Sequence, residues 1–236
     1  MPGKPLSFVI ATLNEEKNID NLLKDLRSQI EKDDEVIVVD SQSTDKTVEA
    51  AEKHGAKVIT QPKKGIGFAK TTGAKEAKNS VLVFLDADCR LSPDFAERIR
   101  AHFSNKDIVA LGGLGLYDSE GFHKSVYDFY SRIVFYSSKL LHRITGKYWL
   151  PANNCAFDKE TFFSVGGYHS VVCEDTDMMF RMPPSRKVVY DDKLKLVLSD
   201  RRFRENGFFR TLFLWGWSDV AALFGKGKKT SGYRTG

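Results

Sequence analysis

The sequence predicts an α/β domain built on a mainly parallel sheet with helices on its faces. Three observations predict it. Short apolar runs alternate with amphipathic stretches through the first half of the chain, which is the pattern of βαβ units. Three of the runs end in polar, carboxylate-bearing clusters, and the strand ends of a parallel sheet lie side by side over one crevice. From about residue 107 the rhythm changes, so the remainder is expected to form a second, differently built half of the same domain.

Leu6–Thr12 reads as the first strand, followed by a helix over residues 14–29 with Ile19, Leu22, Leu23 and Leu26 at three-to-four spacing. Glu35–Asp40 reads as the second strand, and residues 44–54 as a helix with Thr44 as N-cap and Gly55 as its stop. A short strand at Lys57–Thr60 and a helix over residues 67–78 follow. The run Ser80-Val81-Leu82-Val83-Phe84-Leu85 leads into Asp86, and Pro93 is placed in the first turn of a helix over residues 93–103. Beyond these come a glycine-containing strand at 108–117, a long aromatic-rich helix at 122–144, and a loop-rich stretch around Asn153, Asn154, Gly166 and Gly167. A helix at Glu174–Arg181 and two short strands at 187–190 and 194–198 complete the domain. The expected division is residues 1–206 as one domain, with 1–106 and 107–206 as its halves, and 207–236 as an amphipathic helix with a basic tail.

Composition narrows the classes. A chain of 236 residues with 42% hydrophobic and 28% charged content is ordinary for a globular domain. Residues 1–5 lead directly into a strand-like segment, which predicts no secretory leader, and no run approaches the roughly 18 apolar residues of a membrane span. Cys89, Cys155 and Cys173 are widely spaced and odd in number. That favours a reducing compartment over a disulfide scaffold, and Cys89 reads as a packed thiol. The expected location is cytoplasmic, with peripheral contact at the inner face of the membrane as an option. Arg201, Arg202, Arg204, Arg210, Lys226, Lys228, Lys229 and Arg234 outweigh Glu205 and Asp219, so the C-terminal end carries +6 and the first 200 residues −1 of the net charge of +5. A local anionic partner fits that distribution, and a whole domain built for nucleic acid does not.

The chemistry-bearing clusters are Thr12-Leu13-Asn14-Glu15-Glu16, Asp40-Ser41-Gln42-Ser43-Thr44-Asp45 and Asp86-Ala87-Asp88. Two carboxylates one residue apart at a strand mouth suit a hard divalent cation that shares substrate phosphates. The same residues would serve as turn residues or first-turn helix charges. Three such clusters, each after an apolar run, exceed what capping needs.

The ordered set resembles glycosyltransferase family 2, the inverting nucleotide-sugar transferases of the GT-A fold. The resemblance runs through Ala11–Glu16, Val38–Asp45 and the segment Lys64-Gly65-Ile66-Gly67-Phe68-Ala69 with Gly73. It continues through Phe84–Asp88, then Asn153-Asn154-Cys155-Ala156-Phe157, Gly166-Gly167-Tyr168, Glu174-Asp175 and Arg201-Arg202-Phe203-Arg204. It departs at Ser41, where many relatives carry a second acidic residue. It departs again at Phe203, where processive polysaccharide synthases carry tryptophan.

The resemblance implies a UDP- or GDP-sugar donor, a glycan or lipid-linked acceptor, and Mn²⁺ or Mg²⁺ held by Asp88 and Asp86. It implies that Thr12, Asn14, Glu15, Asp40, Gly65, Lys70 and Asp86 contact the nucleotide. Asp175 becomes the general base, with Glu174 and Asp177 as acidic neighbours that raise its pKa or take its place, and Asp177 is also an acceptor contact. Arg201, Arg202, Arg204, Asn153 and Asn154 become diphosphate or acceptor contacts, although a solvated basic turn explains the arginines equally well. A sugar nucleotidyltransferase is the second enzyme reading. It expects a glycine- and basic-rich loop after the first strand, where this chain is acidic. A non-enzymatic anionic-surface module leaves the carboxylate clusters unexplained. Finally, Phe209, Phe213, Trp217, Val220 and Phe224 fall on one helical stripe beside Arg210. That stripe reads either as an interfacial membrane helix or as a helix packed on the domain or on a second subunit.

Overall fold

A computed structural model describes residues 3–62, 65–171, 173–185 and 187–223. One eight-stranded sheet runs through it in the order β3-β2-β1-β4-β7-β6-β8-β5. The first four positions are β3 (Lys57–Thr60), β2 (Glu35–Asp40), β1 (Leu6–Thr12) and β4 (Val81–Asp86). These pair in parallel, with Ala11 opposite both Val39 and Asp86, so the carboxyl ends align. The crossovers are α1 (Glu16–Arg27), α2 (Thr47–Lys53) and α3 (Ile66–Glu76), as βαβ connections require.

The other half of the sheet is mixed. β7 (Asn154–Asp158) inserts antiparallel between β4 and β6 (Ala110–Asp118), while β6 pairs parallel with β8 (Val188–Ser199) and β5 (Cys89–Leu91) caps the edge. The two short strands expected at 187–190 and 194–198 are one strand. Its pairing with β6 shifts register between Gly113 and Leu114, so residues 192–194 bulge out while the ladder continues on both sides. β5, β7, α6 (Lys159–Ser164) and α8 (Arg201–Asn206) carry too short a pattern to stand out in the sequence.

Helices cover both faces, making three layers. Alternation along β1 sends Leu6, Phe8 and Ile10 into one core with Ile19, Leu22 and Leu26 of α1 and Phe95, Ile99 and Phe103 of α4 (Phe95–Phe103). Val9 enters the other core with Phe84, Ala69 and Ala74 of α3, Phe162 of α6 and Met178 of α7 (Glu174–Arg181). Each large aliphatic or aromatic side chain so buried contributes about 1.5–3 kcal/mol. α5 (Gly121–Thr145) and α9 (Phe208–Leu223) join Tyr117 and Phe203 in a smaller aromatic cluster.

Two caps differ from expectation. α2 begins at Thr47 with Lys46 in the cap position, and Thr44 instead belongs to the loop after β2, where its N–H donates to Asn14 Oδ1 at 2.9 Å. Pro93 lies in the turn ahead of α4 rather than in its first turn. Of the expected C-terminal stripe, Phe209, Phe213 and Trp217 are exposed; the Val220 side chain, Phe224 and the basic residues from Lys226 onward lie outside the described residues, as does Lys64. Among the described residues no helix is long and apolar enough to cross a membrane.

Candidate active site

The parallel strand ends and the starts of α3 and α7 enclose a cleft of about 1040 Å³. At its donor end, Thr12 lies at the end of β1, buried, its hydroxyl donating to Asp40 Oδ1 at 3.2 Å. Asn14 follows with φ 55°, a left-handed conformation that asparagine tolerates better than most residues. That turn aims Asn14 away from the cleft: its N–H donates to Ser43 Oγ at 2.8 Å and its Oδ1 accepts from Thr44 N. Glu15 remains on the cleft wall.

Asp40 is 1% exposed, and its carboxylate is consumed within the protein, accepting from Thr12, from the Ser43 amide at 2.9 Å and from the Ser43 hydroxyl. It braces the loops that shape the donor end and does not line the cleft.

The floor is an ion triad. Lys70 projects from α3, wholly buried, with Nζ 2.8 Å from Asp86 Oδ1 at the end of β4 and 3.8 Å from Glu174 Oε1 at the start of α7. The same ammonium donates to the Ala152 carbonyl at 2.8 Å. Burial alone would pull its pKa down, but Asp86 and Glu174 outweigh that and hold it above its ordinary value. Glu174 moves up because burial disfavours its charge more than Lys70 restores it.

Two glycines permit this closeness. Gly65, at φ 143°, turns the chain into α3. At Gly67 a Cβ would stand 2.1 Å from the His169 carbonyl, so only glycine lets α3 approach that loop.

Asp88 lies two residues beyond Asp86 on the same wall. Burial, then the Asp86 and Glu15 charges, push its pKa up to about 6 against the opposing pull of Arg201 and Arg202. Arg201 donates to Glu15 Oε1 at 3.0 Å and stands 4.0 Å from Asp88 Oδ2. Arg202 also lines the cleft, whereas Arg204 turns outward to pair with Asp200 at 2.6 Å. Phe203 between them is buried, its ring 4.8 Å from Tyr117 and 4.4 Å from Tyr127, and this anchoring directs Arg201 and Arg202 inward.

Opposite the strand ends, α7 starts after Cys173, another left-handed residue at φ 58°. Glu174 and Asp175 both line the cleft. Asp177 is turned by the helix to the other side, where Arg181 and His169 bind it at 2.7 and 3.1 Å. Asn153 lines the cleft; Asn154 is fully buried behind it, reaching toward the Leu194 carbonyl at 3.5 Å.

Thus Thr12, Glu15, Gly65, Lys70, Asp86, Asp88, Asn153, Glu174, Asp175, Arg201 and Arg202 share one cleft, and Asn14, Asp40, Asn154, Asp177 and Arg204 stand behind or outside it. Trp149 was not anticipated. It lines the cleft with its indole N–H on Thr176 Oγ1 at 3.2 Å, from a loop that carries no periodic signal.

The donor set fits a divalent cation only in part. No cluster of three or more His, Cys, Asp or Glu is assembled for a metal among the described residues. Asp88, a desolvated carboxylate with Asp86 and Glu15 as like-charged neighbours, still marks an excess of negative charge that a cation would relieve. Asp88 and Asp86 would be the oxygen ligands of such a cation, and a hard cation commonly completes a shell of this kind with phosphate and water.

The glycosyl transferase family 2 model matches residues 7–170, a stretch from β1 through the loop after α6. A dolichol-phosphate mannosyltransferase of Pyrococcus furiosus is 33% identical over 113 residues, 45% of this chain and 32% of that one. This chain covers about a third of the length of the curated relatives it matches. Among solved structures, glucosyl-3-phosphoglycerate synthase from Mycobacterium tuberculosis, in complex with Mn²⁺, UDP and glucosyl-3-phosphoglycerate, superposes with a TM-score of 0.67 at 20% identity over 95% of this chain and 80% of that one. A mannosyltransferase from Pyrobaculum calidifontis, in complex with GDP-Man and Mn²⁺, superposes at 0.64 and 19% identity over 84% and 57%. The fold is GT-A. With its strand-end carboxylates, its α3 glycines and most of its cleft walls inside the matched span, the chain belongs to glycosyl transferase family 2.

Proposed function

We propose that this chain is an inverting, metal-dependent glycosyltransferase that moves a sugar from a UDP- or GDP-sugar to a hydroxyl or a lipid-linked acceptor. The observation that carries the reading is the meeting of two acidic pairs on one cleft: Asp86 and Asp88 from a strand end, Glu174 and Asp175 from a helix start. Lys70 bridges them. The solved relatives holding Mn²⁺ with UDP or GDP-mannose support the donor class.

In this reading residues 1–106 hold the donor and residues 107–206 the acceptor, with 207–236 appended. Thr12 and Glu15 face the nucleoside, in loops that Asp40 and Asn14 brace. Arg201 and Arg202 face the diphosphate, since guanidinium forks suit phosphate oxygens. Mn²⁺ or Mg²⁺ held by Asp88 and Asp86 would supply Lewis-acid neutralisation of the leaving diphosphate. The acceptor oxygen attacks the anomeric carbon from the face opposite the diphosphate. The bond from that carbon to the phosphate oxygen breaks, and its electron pair leaves with the nucleoside diphosphate. Asp175 takes the hydroxyl proton. A phosphate acceptor already carries its negative charge and needs no base, so Asp175→Asn separates the two acceptor classes. Cys89, Cys155 and Cys173, none of them in a disulfide, fit a reducing, cytoplasmic setting.

The test is a screen of UDP- and GDP-sugars for slow hydrolysis with Mn²⁺ or Mg²⁺, run beside thermal stabilisation by UDP and GDP. Stabilisation that needs the cation and is lost in Asp88→Ala supports the reading. No stabilisation by any nucleoside diphosphate would overturn it.

A further inference from the structure

The outward face of α5 is apolar along its whole length. Phe122, Phe129, Ile133, Tyr136, Leu140 and Ile144 recur at three-, four- and seven-residue steps and are each between 44% and 79% exposed. The helix has 25 residues, about 37 Å at 1.5 Å per residue. Its inward face is occupied as well: Tyr127, Phe135 and His142 are buried, and Ser131, Val134 and Ser138 line the cleft. Packing on its own domain therefore explains one face only. Scattered exposed hydrophobic residues are ordinary, but a continuous stripe of this length marks a contact surface.

Charge identifies what fits. Arg132, Lys139 and Arg143 are exposed along one edge of the stripe. The sole carboxylate in α5, Asp128, is turned inward, accepting from the Tyr117 amide and pairing with Lys124 at 3.3 Å. Asp192, in the β8 bulge, reaches the stripe by accepting from the Tyr136 hydroxyl at 2.9 Å. Beside this helix, Phe208 of α9 packs on Tyr127 and Tyr130, and Phe209, Phe213 and Trp217 are 66–83% exposed. Aromatic rings with cations on the flank suit the headgroup region of a bilayer.

We propose that the outer face of α5, continued by the exposed aromatic residues of α9, docks on an anionic lipid bilayer. A second copy of the chain suits the surface less well, because pairing two α5 faces sets rows of cations together with no outward carboxylate on either helix, whereas anionic headgroups neutralise them. Docking would leave the cleft one helix diameter, about 10 Å, from the lipid. That geometry does not depend on which sugar is transferred.

The full chain is mixed with phosphatidylcholine vesicles with or without phosphatidylglycerol, and vesicle binding is read by co-sedimentation. The wild type is expected to bind vesicles containing phosphatidylglycerol and to lose at least tenfold in affinity without it or at raised salt. The triple variant Phe129→Glu, Ile133→Glu, Leu140→Glu is expected to lose at least tenfold while keeping its circular dichroism and melting temperature. Should that variant misfold, Phe129→Glu alone is used, with a loss of several-fold expected. Reversing the basic edge with Arg132→Glu, Lys139→Glu and Arg143→Glu should remove the preference for phosphatidylglycerol. No binding by the wild type, unchanged binding by the folded stripe variant, or a dimer by light scattering that the stripe variant dissociates without altering vesicle binding would each overturn the proposal. Vesicle binding is read without turnover, so failure here is distinct from failure of the catalytic reading.

Discussion

On the donor side of the cleft the loops are tied to one another; on the acceptor side they are tied to the core. The loop after β1 and the loop after β2 exchange bonds in both directions. Asn14 N donates to Ser43 Oγ and Thr44 N to Asn14 Oδ1, while Glu16 N donates to Asp45 Oδ2 and Lys46 N to Glu16 Oε2, all within 2.8–3.1 Å. These groups are largely exposed, and the bonds are many and individually small. Across the cleft, buried or half-buried side chains reach into the loops. Lys70 donates to the Ala152 carbonyl, Thr71 to the Tyr168 carbonyl at 2.8 Å, and Arg181 to the Gly167 carbonyl at 2.7 Å. The difference teaches where a single substitution should matter. Redundant surface bonds fail gracefully, whereas one buried charge that holds several partners does not.

The largest effects belong to chemistry and separate the two walls. Asp88→Ala is expected to reduce turnover by roughly 10³-fold or more, the worth of several kcal/mol of charge neutralisation, and to abolish the cation-dependent thermal shift with UDP or GDP. Asp175→Asn is expected to reduce transfer to a hydroxyl by about 10²–10⁴-fold and to keep that thermal shift. Loss of both properties in both variants would merge the walls into one unit.

Next in size is Lys70→Met. Removing the ammonium leaves Asp86 and Glu174 without their shared cation in a largely buried floor, a loss of about 3–5 kcal/mol. Chemical denaturation at neutral pH measures it. The deficit should shrink at acid pH, where Glu174, whose pKa burial already raises, takes up a proton in place of the ammonium. A loss under about 1 kcal/mol would show that the acceptor-side loops do not hang on this group.

A third prediction concerns Asp88 in protein held free of metal by a chelator. Its pKa rises from 3.8 to about 6 on folding, so the folded state binds more protons than the unfolded state between those values. Stability therefore falls as pH rises through that window, by up to about 2–3 kcal/mol. Asp88→Asn should flatten this part of the pH–stability profile and melt higher than wild type at pH 7.5. Equal slopes for the two proteins would mean that Asp88 is not desolvated as the cleft geometry implies.

The parallel half was legible because its signals are local. Apolar runs, helical spacing and polar strand ends sit within a few residues of one another, and Asp86 and Asp88 stood out by position alone. Much of the second half depends on contacts far apart in the chain. Nothing near Asn154–Asp158 says that this strand enters antiparallel between β4 and β6, and nothing around Lys70 announces partners at Asp86 and Glu174. Asp175 and Asp177 are two residues apart on a helix, about 200° around its axis, so one cleft could not take both. Asp40 was hidden for another reason: a strand-end carboxylate looks alike in sequence whether it meets a ligand or its own loop.

The smallest effect tests the donor-side loops directly. Asn14 combines a left-handed φ of 55° with the bond from Thr44 N. Asn14→Gly removes the bond and keeps the conformation accessible, so a cost of about 0.5–1 kcal/mol is expected. Asn14→Ala removes the bond and also penalises the backbone, raising the cost to about 1–2 kcal/mol. Both should remain well below Lys70→Met, because the Ser43, Asp45 and Glu16 bonds persist. If the loops also set the donor end, the KM for the nucleotide sugar should rise several-fold in Asn14→Ala with kcat little changed. A cost matching Lys70→Met would mean that the exchanged bonds act as one cooperative unit, since the loss of a single member would then release the rest.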